Sequence, residues 1–216
     1  MSIATLILGE SGTGKSASMR NLNPEDVLLI QVIKKPLPFR SGDWKRYDPE
    51  NKKNPFSIWV TDSPAEVSGL MKKTSKPIII IDDFQYLMAN EFMRRAQESG
   101  WQKFVDIGQN AWCIFKDTSE LPDNKRVYIL SHTQTDEHGS KMKTIGKMLD
   151  EKITMEGMLT IVLKTHVMDG EYRFITQNSG NDTVKSPMGM FEDKFIDNDL
   201  NEVDLKICDY YGIERV

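Results

Sequence analysis

Hydrophobic residues in this chain cluster into short continuous runs, separated by polar or amphipathic stretches. Runs of about four to eight residues rich in Val, Ile and Leu are typical of strands buried on both faces of a parallel sheet. The consecutive isoleucines at 78–81 are the clearest example. By this criterion we predict strands at 3–8, 27–32, 57–60, 78–81, 127–131, 159–167 and 172–177.

The stretches between these runs are the candidate helices. Ser63-Pro64 marks one helix start, because serine caps helix N-termini and proline suits the first turn. Asn201 is a second candidate cap. We predict helices at 15–22, 64–73, 84–98, 101–117 and 201–211.

The order of these elements indicates the fold class. Strands that alternate with helices predict an α/β fold with a mostly parallel sheet flanked by helices. Asp169-Gly170, between the last two predicted strands, indicates a β-hairpin near the C-terminus. The length of 216 residues suits a single domain over 1–216. Within it, the polar segment 34–56 is a long basic loop or insertion.

Composition indicates a globular, cytoplasmic protein. Hydrophobic residues make up 39% of the chain and charged residues 28%, and no apolar run approaches the length of a membrane span. Met1-Ser2 leads directly into the first predicted strand, so we expect no signal peptide and no membrane partner. Cys113 and Cys208 lack metal-site spacing. We interpret them as reduced thiols, with a disulfide between them as the alternative.

Charge is distributed unevenly, although the net charge is only −4. Residues 34–53 hold seven basic and three acidic side chains, whereas residues 192–216 hold eight acidic and three basic ones. An acidic chain can therefore present a local basic face to nucleic acid. For the acidic segment, a solvated helix is the simplest interpretation, and shielding of a basic neighbour or contact with a partner is the alternative.

Two segments are candidates for contact with single-stranded DNA. Residues 34–53 interleave cations with three aromatic rings that could stack unpaired bases or, alternatively, pack on the core: Phe39, Trp44 and Tyr47. Residues 134–147 are predicted to form a mobile loop, which contains glycines and three lysines suited to phosphate contact: Lys141, Lys143 and Lys147. Asp136 and Glu137 in that second segment oppose such a role.

A glycine-rich loop carries the strongest functional signal. Residues 9–16 fit G-x-x-x-x-G-K-[ST], the phosphate-binding P-loop, and lie between a predicted strand and a predicted helix. Lys15 would reach the β- and γ-phosphates and Ser16 would hold Mg²⁺. An ordinary glycine-rich turn is the alternative. The candidate nucleotide-binding residues are Gly9, Glu10, Ser11, Gly12, Thr13, Gly14, Lys15, Ser16 and Ala17.

The isoleucine run ends in Asp82-Asp83, which has the form of a Walker B element. A carboxylate at a strand end is well placed to hold the Mg²⁺ that neutralises phosphate oxygens, and we assign this role to Asp82. Asp83 is a candidate general base that orients the attacking water. Its alternative role is to cap the following helix.

Two further contributions to the site remain open. His132 follows a predicted buried strand and is a candidate sensor of the γ-phosphate or the attacking water, with simple packing as the alternative. Phosphoryl transfer usually needs an extra cation, often from a neighbouring subunit. The sequence does not choose among Arg94, Arg95, Lys164, Arg173 and Lys185.

Other nucleotide-binding classes fit less well. A GTPase would need N-K-x-D, but Asn124-Lys125-Arg126-Val127 lacks the aspartate. A small-molecule kinase would need an Arg-rich lid, whereas Arg94-Arg95 is the only arginine pair and lies in a predicted helix. The hydrophobic strand that ends in two aspartates favours an ATPase.

Taken together, Gly9–Ser16, Ile78–Asp83 and Leu130–Thr133 resemble the RecA-like, core-only ATPases encoded by bacteriophages. The runs at 143–150 and 184–191 are also similar to segments of a phage ATP-binding protein family. The resemblance implies a RecA-type core in the host cytoplasm that forms rings or filaments, with ATP at subunit interfaces. It also implies a role in recombination, single-strand annealing or replication. RecA itself carries its catalytic glutamate at the end of the strand after the P-loop helix, but Leu29–Val32 has no acid.

We therefore expect an oligomeric, Mg²⁺-dependent ATPase that acts on single-stranded DNA. The main alternative is a nucleotide-gated scaffold that binds ATP, hydrolyses it poorly and recruits partner proteins. The missing acid at Leu29–Val32 keeps this alternative open. A monomeric small-molecule phosphotransferase is a more distant alternative.

Overall fold

The strand-forming runs of the sequence assemble into one mixed sheet. The structure is a computed structural model that describes residues 1–137 and 139–215, and in these ranges the chain forms nine strands and four α-helices. The strands are β1 (Ile3–Gly9), β2 (Val27–Gln31), β3 (Ile58–Val60), β4 (Ile78–Asp82), β5 (Arg126–Asp136), β6 (Gly139–Met142), β7 (Ile161–Met168), β8 (Glu171–Ile175) and β9 (Phe195–Asp197). The helices are α1 (Pro64–Lys73), α2 (Gln85–Arg94), α3 (Gln102–Ser119) and α4 (Leu200–Tyr211).

The sheet is mostly parallel. Its order is β3-β2-β4-β5-β1-β7-β8-β9, with β6 paired to β5 outside this path. All pairs from β3 to β7 are parallel, whereas β7–β8 and β8–β9 are antiparallel. The predicted α/β class with helices flanking a mostly parallel sheet is thus confirmed.

The predicted C-terminal hairpin is also present. Met168 of β7 lies opposite Glu171 of β8, so two residues form the turn between them. Both have positive φ, 53° at Asp169 and 81° at Gly170. This geometry explains the Asp-Gly signal, because such a turn needs residues that tolerate the left-handed region.

Burial on both faces explains the isoleucine run of β4. Ile79 and Ile81 belong to the core cluster that packs under α1, α2 and α3. Ile78 and Ile80 point to the opposite face and join the cluster that includes Val203 of α4. Side chains alternate along a strand, so a strand covered on both sides has no polar face.

The first predicted helix is present, but it is short. Residues Ser16–Asn21 form a six-residue 3₁₀ helix within the predicted range 15–22. Ser18 Oγ donates to the Lys15 carbonyl at 2.6 Å and so competes with the helical ladder. Pro24, shortly after this segment, prevents its extension.

Other boundaries also differ from the predictions. α2 ends at Arg94 rather than 98, because residues 95–98 form a turn in which Glu98 N donates to the Arg95 carbonyl. The N-cap of α4 is Asp199, not Asn201, and its carboxylate accepts from Asn201 N. β5 continues to Asp136 and pairs with β6, where we expected a loop over 134–147. His138 of that segment and Val216 of the acidic C-terminal segment lie outside the described residues.

A buried charge network ties α4 to the amino end of β5. Arg126 Nε and Nη2 donate to the two carboxylate oxygens of Asp204 at 3.0 and 3.2 Å. Tyr128 Oη donates to the same carboxylate at 2.6 Å. Arg126 is 2% exposed, and the other two side chains are fully buried. We call these three residues the β5–α4 network.

The state of the two cysteines and the presence of membrane-spanning helices are two further features to which the sequence predictions apply. Cys113 and Cys208 are both free, so the disulfide alternative is wrong. None of the helices within the described ranges combines the length and apolar character needed to cross a membrane.

Candidate functional site

The candidate site lies where β1, β4 and β5 reach their carboxyl ends. These strands are neighbours in the order β4-β5-β1, so the residues that follow them meet at one edge of the sheet. Gly9 of β1 pairs in register with His132 of β5, and Phe84 N, just after β4, donates to the Leu130 carbonyl. The structure therefore brings together residues 9–16, which we call the glycine-rich loop, and Asp82, Asp83 and His132.

Two glycines allow the loop to pack closely. A Cβ on Gly9 would lie 1.8 Å from Thr165 Oγ1 of β7, so no side chain fits there. Gly14 has φ of 96°, and a Cβ on it would lie 3.0 Å from both Asn198 and Tyr172. The loop shape therefore depends on glycine at both positions.

Thr13 fixes the loop to the neighbouring strand. Its hydroxyl donates to the Glu10 carbonyl at 2.7 Å and lies 2.6 Å from the hydroxyl of Thr165. Thr165 is a contact that the sequence did not indicate. Glu10 and Ser11 themselves are exposed.

Lys15 folds back over the loop. Its Nζ donates to the carbonyls of Gly9 at 2.9 Å and Glu10 at 2.7 Å, and the residue is only 6% exposed. Burial lowers the pKa of Lys15 to about 8, although the charges of Asp83 and Asp82 act in the opposite direction. Phosphate oxygens would form stronger, charge-assisted hydrogen bonds with this ammonium group than the two neutral carbonyls do.

Ser16 and Asp82 form a direct pair. Ser16 Oγ lies 2.8 and 3.0 Å from the two carboxylate oxygens of Asp82, which is 1% exposed. Burial, and then the charge of Asp83, raises the pKa of Asp82 to about 6. A bound cation would stabilise its charged form.

A hydroxyl beside a carboxylate is a donor set that suits Mg²⁺. This ion prefers oxygen ligands and is usually held by one or two carboxylates together with substrate phosphates. In the described part of the chain, no group of three or more His, Cys, Asp and Glu side chains is placed to hold a metal alone. The Ser16–Asp82 pair therefore fits Mg²⁺ that is also bound by phosphate, and not a site formed by protein ligands only.

Asp83 has an unusual backbone and two ionic partners. Its φ is 64°, in the left-handed region that few residues other than glycine adopt. Its carboxylate forms an ion pair with Lys35 Nζ, and its other oxygen lies 3.8 Å from His132 Nε2. The capping alternative is wrong, because the N-cap of α2 is Phe84 and no side chain bonds there. Strain of this kind is often found at functional sites.

The environment of His132 favours the uncharged form of its imidazole ring. Burial and the charge of Lys15 lower the pKa of His132 below its ordinary value, against the charge of Asp83. A neutral imidazole offers one donor and one acceptor. The ring also contacts Tyr86 edge-on at 6.0 Å between centroids.

Lys15, Ser16, Asp83 and His132 line one cavity of about 450 Å³, a size typical of small-molecule sites, whereas Asp82 is bonded to Ser16 but is not itself a wall residue. Its walls include Ser11, Gly12, Gly14, Lys15, Ser16, Ala17, Lys35, Pro36, Pro38, Asp83, His132 and Tyr172. Neither Lys35 nor Tyr172 was predicted from the sequence as a residue of this site. Lys35 follows shortly after the end of β2. Because ligands bind at the carboxyl ends of parallel strands, this position was the sequence signal that could have identified Lys35 as a site residue.

None of the five cations considered from the sequence lines this cavity. Arg94 pairs with Asp62, Arg95 with a carboxylate cluster that includes Asp106, and Arg173 with Glu171. Lys164 and Lys185 are partly buried on β7 and in the segment that pairs with it. Among the residues that the structure describes, the second cation of the cavity is Lys35 instead.

The aromatic residues of the basic segment pack on the protein. Trp44 is 8% exposed and contacts Phe39 edge-on, and both pack against the core cluster on the α4 face of the sheet. Tyr47 stacks on Trp59 with centroids 4.0 Å apart. The alternative that these rings pack on the core is therefore the arrangement observed.

In the second basic segment, the lysines differ in their surroundings. Lys141 pairs with Asp150 at 2.9 Å and with Asp136 at 3.7 Å. Lys143 and Lys147 are exposed near the β5–β6 hairpin. Only these two lysines of the segment remain candidates for phosphate contact.

The sequence matches no protein-family model, and it is similar to no curated protein at a significant level.

Proposed function

We propose that this chain binds ATP together with Mg²⁺ and hydrolyses it, in a P-loop domain of RecA-like type. One observation carries the proposal. Lys15 and Ser16 line the same cavity together with Ser11, Gly12 and Gly14 of the glycine-rich loop, and Ser16 is bonded to the buried Asp82. A lysine for phosphate and a hydroxyl–carboxylate pair for Mg²⁺ are the two parts that nucleotide binding requires of such a loop.

The sheet order supports the finer fold. β5 lies between β1, which leads into the loop, and β4, which ends in the two aspartates. His132 lies between the loop and the carboxylates, which supports a role for it in contact with the γ-phosphate or the attacking water. This arrangement agrees with the resemblance to RecA-like ATPases.

The residues suggest a division of roles. The oxygen of water attacks the γ-phosphorus, the bond between γ-phosphorus and the bridging oxygen breaks, and ADP and phosphate are formed. Asp83 accepts the proton of the water, and His132 donates or accepts a hydrogen bond to the same water or to phosphate. Mg²⁺, when bound at Ser16 and Asp82, neutralises charge on the phosphate oxygens. Lys15 binds the β- and γ-phosphates.

The scaffold alternative also has support from the structure. Asp83 is engaged by Lys35, and an aspartate reaches less far than a glutamate. At the end of β2, Gln31 uses its amide to bond the Lys35 carbonyl and Arg46 and supplies no acid. Slow hydrolysis is consistent with both features.

Single-stranded DNA and a second copy of the chain remain the partners that we propose. Lys143 and Lys147 near the β5–β6 hairpin are the surface cations that support DNA contact. For the oligomer, the support is the resemblance, with a cation of one subunit completing the site of the next.

ATP turnover with Mg²⁺, measured with and without single-stranded DNA, tests the proposal. Lys15→Ala should abolish ATP binding or turnover. Lys125→Ala is the matched control, because Lys125 is also 6% exposed and donates to two carbonyls, at the opposite end of the sheet. Stimulation by DNA would support a DNA-acting ATPase, whereas tight binding without a DNA response would favour the scaffold. Unchanged turnover in Lys15→Ala would refute nucleotide chemistry at this loop.

A further inference from the structure

Lys35 enters the cavity from a segment with little regular structure. Residues 32–57 connect β2 to β3, and the backbone at Lys35 is fixed within them. Its carbonyl accepts hydrogen bonds from Arg46 Nη2 at 2.8 Å and Gln31 Nε2 at 3.2 Å, and Pro36 follows with a restricted φ. The backbone is therefore held while the side chain, 39% exposed, can change direction.

The charges at the cavity balance without a ligand. Of the described residues, Lys15, Lys35 and Asp83 line it, and Asp82 is bonded to Ser16 of its wall, so two lysines are balanced by two aspartates. Both aspartates are less than 5% exposed. A triphosphate with its Mg²⁺ would still add net negative charge beside these carboxylates, so the γ-phosphate needs a cation in addition to Lys15 and Mg²⁺.

Lys35 is the group placed to supply that cation. It lines the same cavity as Lys15, and its Nζ already lies against an oxygen of Asp83. Asp83 is buried on a fixed backbone turn, whereas Lys35 is partly exposed on a flexible four-carbon stem. Of the two partners, Lys35 is therefore the one that can move.

We infer that Lys35 moves from Asp83 to the γ-phosphate of bound ATP and stabilises the transferred phosphoryl group from within the same chain. This inference rests on the proposed function. Other NTPases often take this cation from a neighbouring subunit or protein. The movement also releases the Asp83 carboxylate, which then accepts the proton of the attacking water while the γ-phosphorus–oxygen bond to ADP breaks. Contact with the γ-phosphate makes Lys35 distinguish ATP from ADP.

The test compares Lys35→Ala with Lys34→Ala, its exposed neighbour outside the cavity. Calorimetry with Mg²⁺ gives the dissociation constants of ATP and ADP, and single-turnover assays give the rate at saturating ATP. For Lys35→Ala we expect ADP affinity to stay within about 2-fold, ATP affinity to fall by about 10-fold or more, and the rate to fall by roughly 100-fold or more. Lys35→Arg should recover part of the preference for ATP over ADP. Lys34→Ala should match the wild type.

Other outcomes would overturn the inference. Equal loss of ATP and ADP affinity in Lys35→Ala, with unchanged unfolding behaviour, would make Lys35 a general contributor to the electrostatics of the site. An unchanged ATP/ADP ratio, or a faster rate, would show that Lys35 merely restrains Asp83. If the wild type binds nucleotide and only these differences are missing, the inference alone fails. If the wild type binds neither nucleotide, the proposed function fails with it.

Discussion

A network of charged groups lies at each end of β5, and the two networks differ in what completes them. At the amino end, Arg126 and Tyr128 donate to Asp204 of α4, and the Asn124 carbonyl and Arg215 complete the network as further protein partners. At the carboxyl end, Asp83, Lys35 and His132 meet at a cavity with Lys15 and the Ser16–Asp82 pair. Buried charges that protein groups fully satisfy serve the fold, whereas buried charges that face a cavity can serve a ligand.

The two networks also differ in backbone geometry. The residues of the β5–α4 network lie on regular elements, a strand and a helix. At the cavity, Asp83 has φ of 64° and Gly14 has φ of 96°. Left-handed backbone is therefore found at the cavity end. Backbone strain lowers the stability of the fold, and such strain is common at functional sites.

The comparison predicts the largest effect at Asp83. Asp83→Asn removes the candidate base but keeps the size of the side chain, so we expect turnover to fall by about 10²- to 10⁴-fold while Mg²⁺-ATP binding remains. Single-turnover kinetics and calorimetry on the same preparation measure the two quantities. Undiminished turnover would show that Asp83 is not the base.

Asp204→Asn should mainly affect stability. It leaves the Arg126 guanidinium buried without its carboxylate, so the free energy of unfolding should fall by about 3–5 kcal/mol. Urea denaturation measures this change, with Asp209→Asn on the exposed face of the same helix as the control. ATP affinity should be unchanged at temperatures where the variant is folded. A loss of affinity there would contradict the division between the two networks.

Asp82→Asn should change stability in the opposite direction. The native-state pKa of Asp82 is about 6, above the ordinary aspartate value of 3.8, so the native state binds more protons between these values. This carboxyl therefore stabilises the fold below about pH 4, and its contribution is lost as the pH rises through 6. At pH 8 with a metal chelator, Asp82→Asn should raise the free energy of unfolding by about 1–3 kcal/mol. It should also weaken Mg²⁺-dependent ATP binding.

The pH profile of the difference between Asp82→Asn and the wild type provides the control. That difference should be small near pH 4 and reach its full value above pH 7. A variant less stable than the wild type at pH 8 would mean that the Asp82 charge stabilises the empty fold, and the contrast with Asp204 would disappear.

The smallest predicted effect is that of Tyr128→Phe. It removes one hydrogen bond to a charged group but leaves the Arg126–Asp204 pair, so we expect a loss of about 1–2 kcal/mol in unfolding free energy. Combining it with Asp204→Asn in a double-mutant cycle should show strong non-additivity, because the two side chains are in contact. Additive effects would mean that they do not form one network.

Regular elements with clear local signals were predictable from the sequence. The Ser63-Pro64 pair predicted α1 with the bounds observed, and Ser63 Oγ accepts a hydrogen bond from Glu66 N. The isoleucine run predicted β4, because burial on both faces removes polar positions from the pattern. The Asp-Gly pair gave the β7–β8 hairpin for a similarly local reason.

Features that depend on contacts distant in the sequence were not predictable. Lys35 lies in a connection without periodicity, and its placement depends on Arg46 and on Gln31 of β2. The 3₁₀ segment at Ser16–Asn21 follows from a side-chain bond that competes with the helix. The motif residues of the glycine-rich loop could be recognised in the sequence, but their ionic partners could not.

The most direct test of the division between the two networks is stabilisation by Mg²⁺-ATP. The free energy of unfolding is measured with and without nucleotide for the wild type, Lys15→Ala and Lys125→Ala. At ATP about 100-fold above the dissociation constant, the wild type and Lys125→Ala should each gain about 2.7 kcal/mol, and Lys15→Ala should gain none. Equal stabilisation of Lys15→Ala, or no stabilisation of the wild type, would contradict the assignment of the cavity at the carboxyl end of β5 to nucleotide.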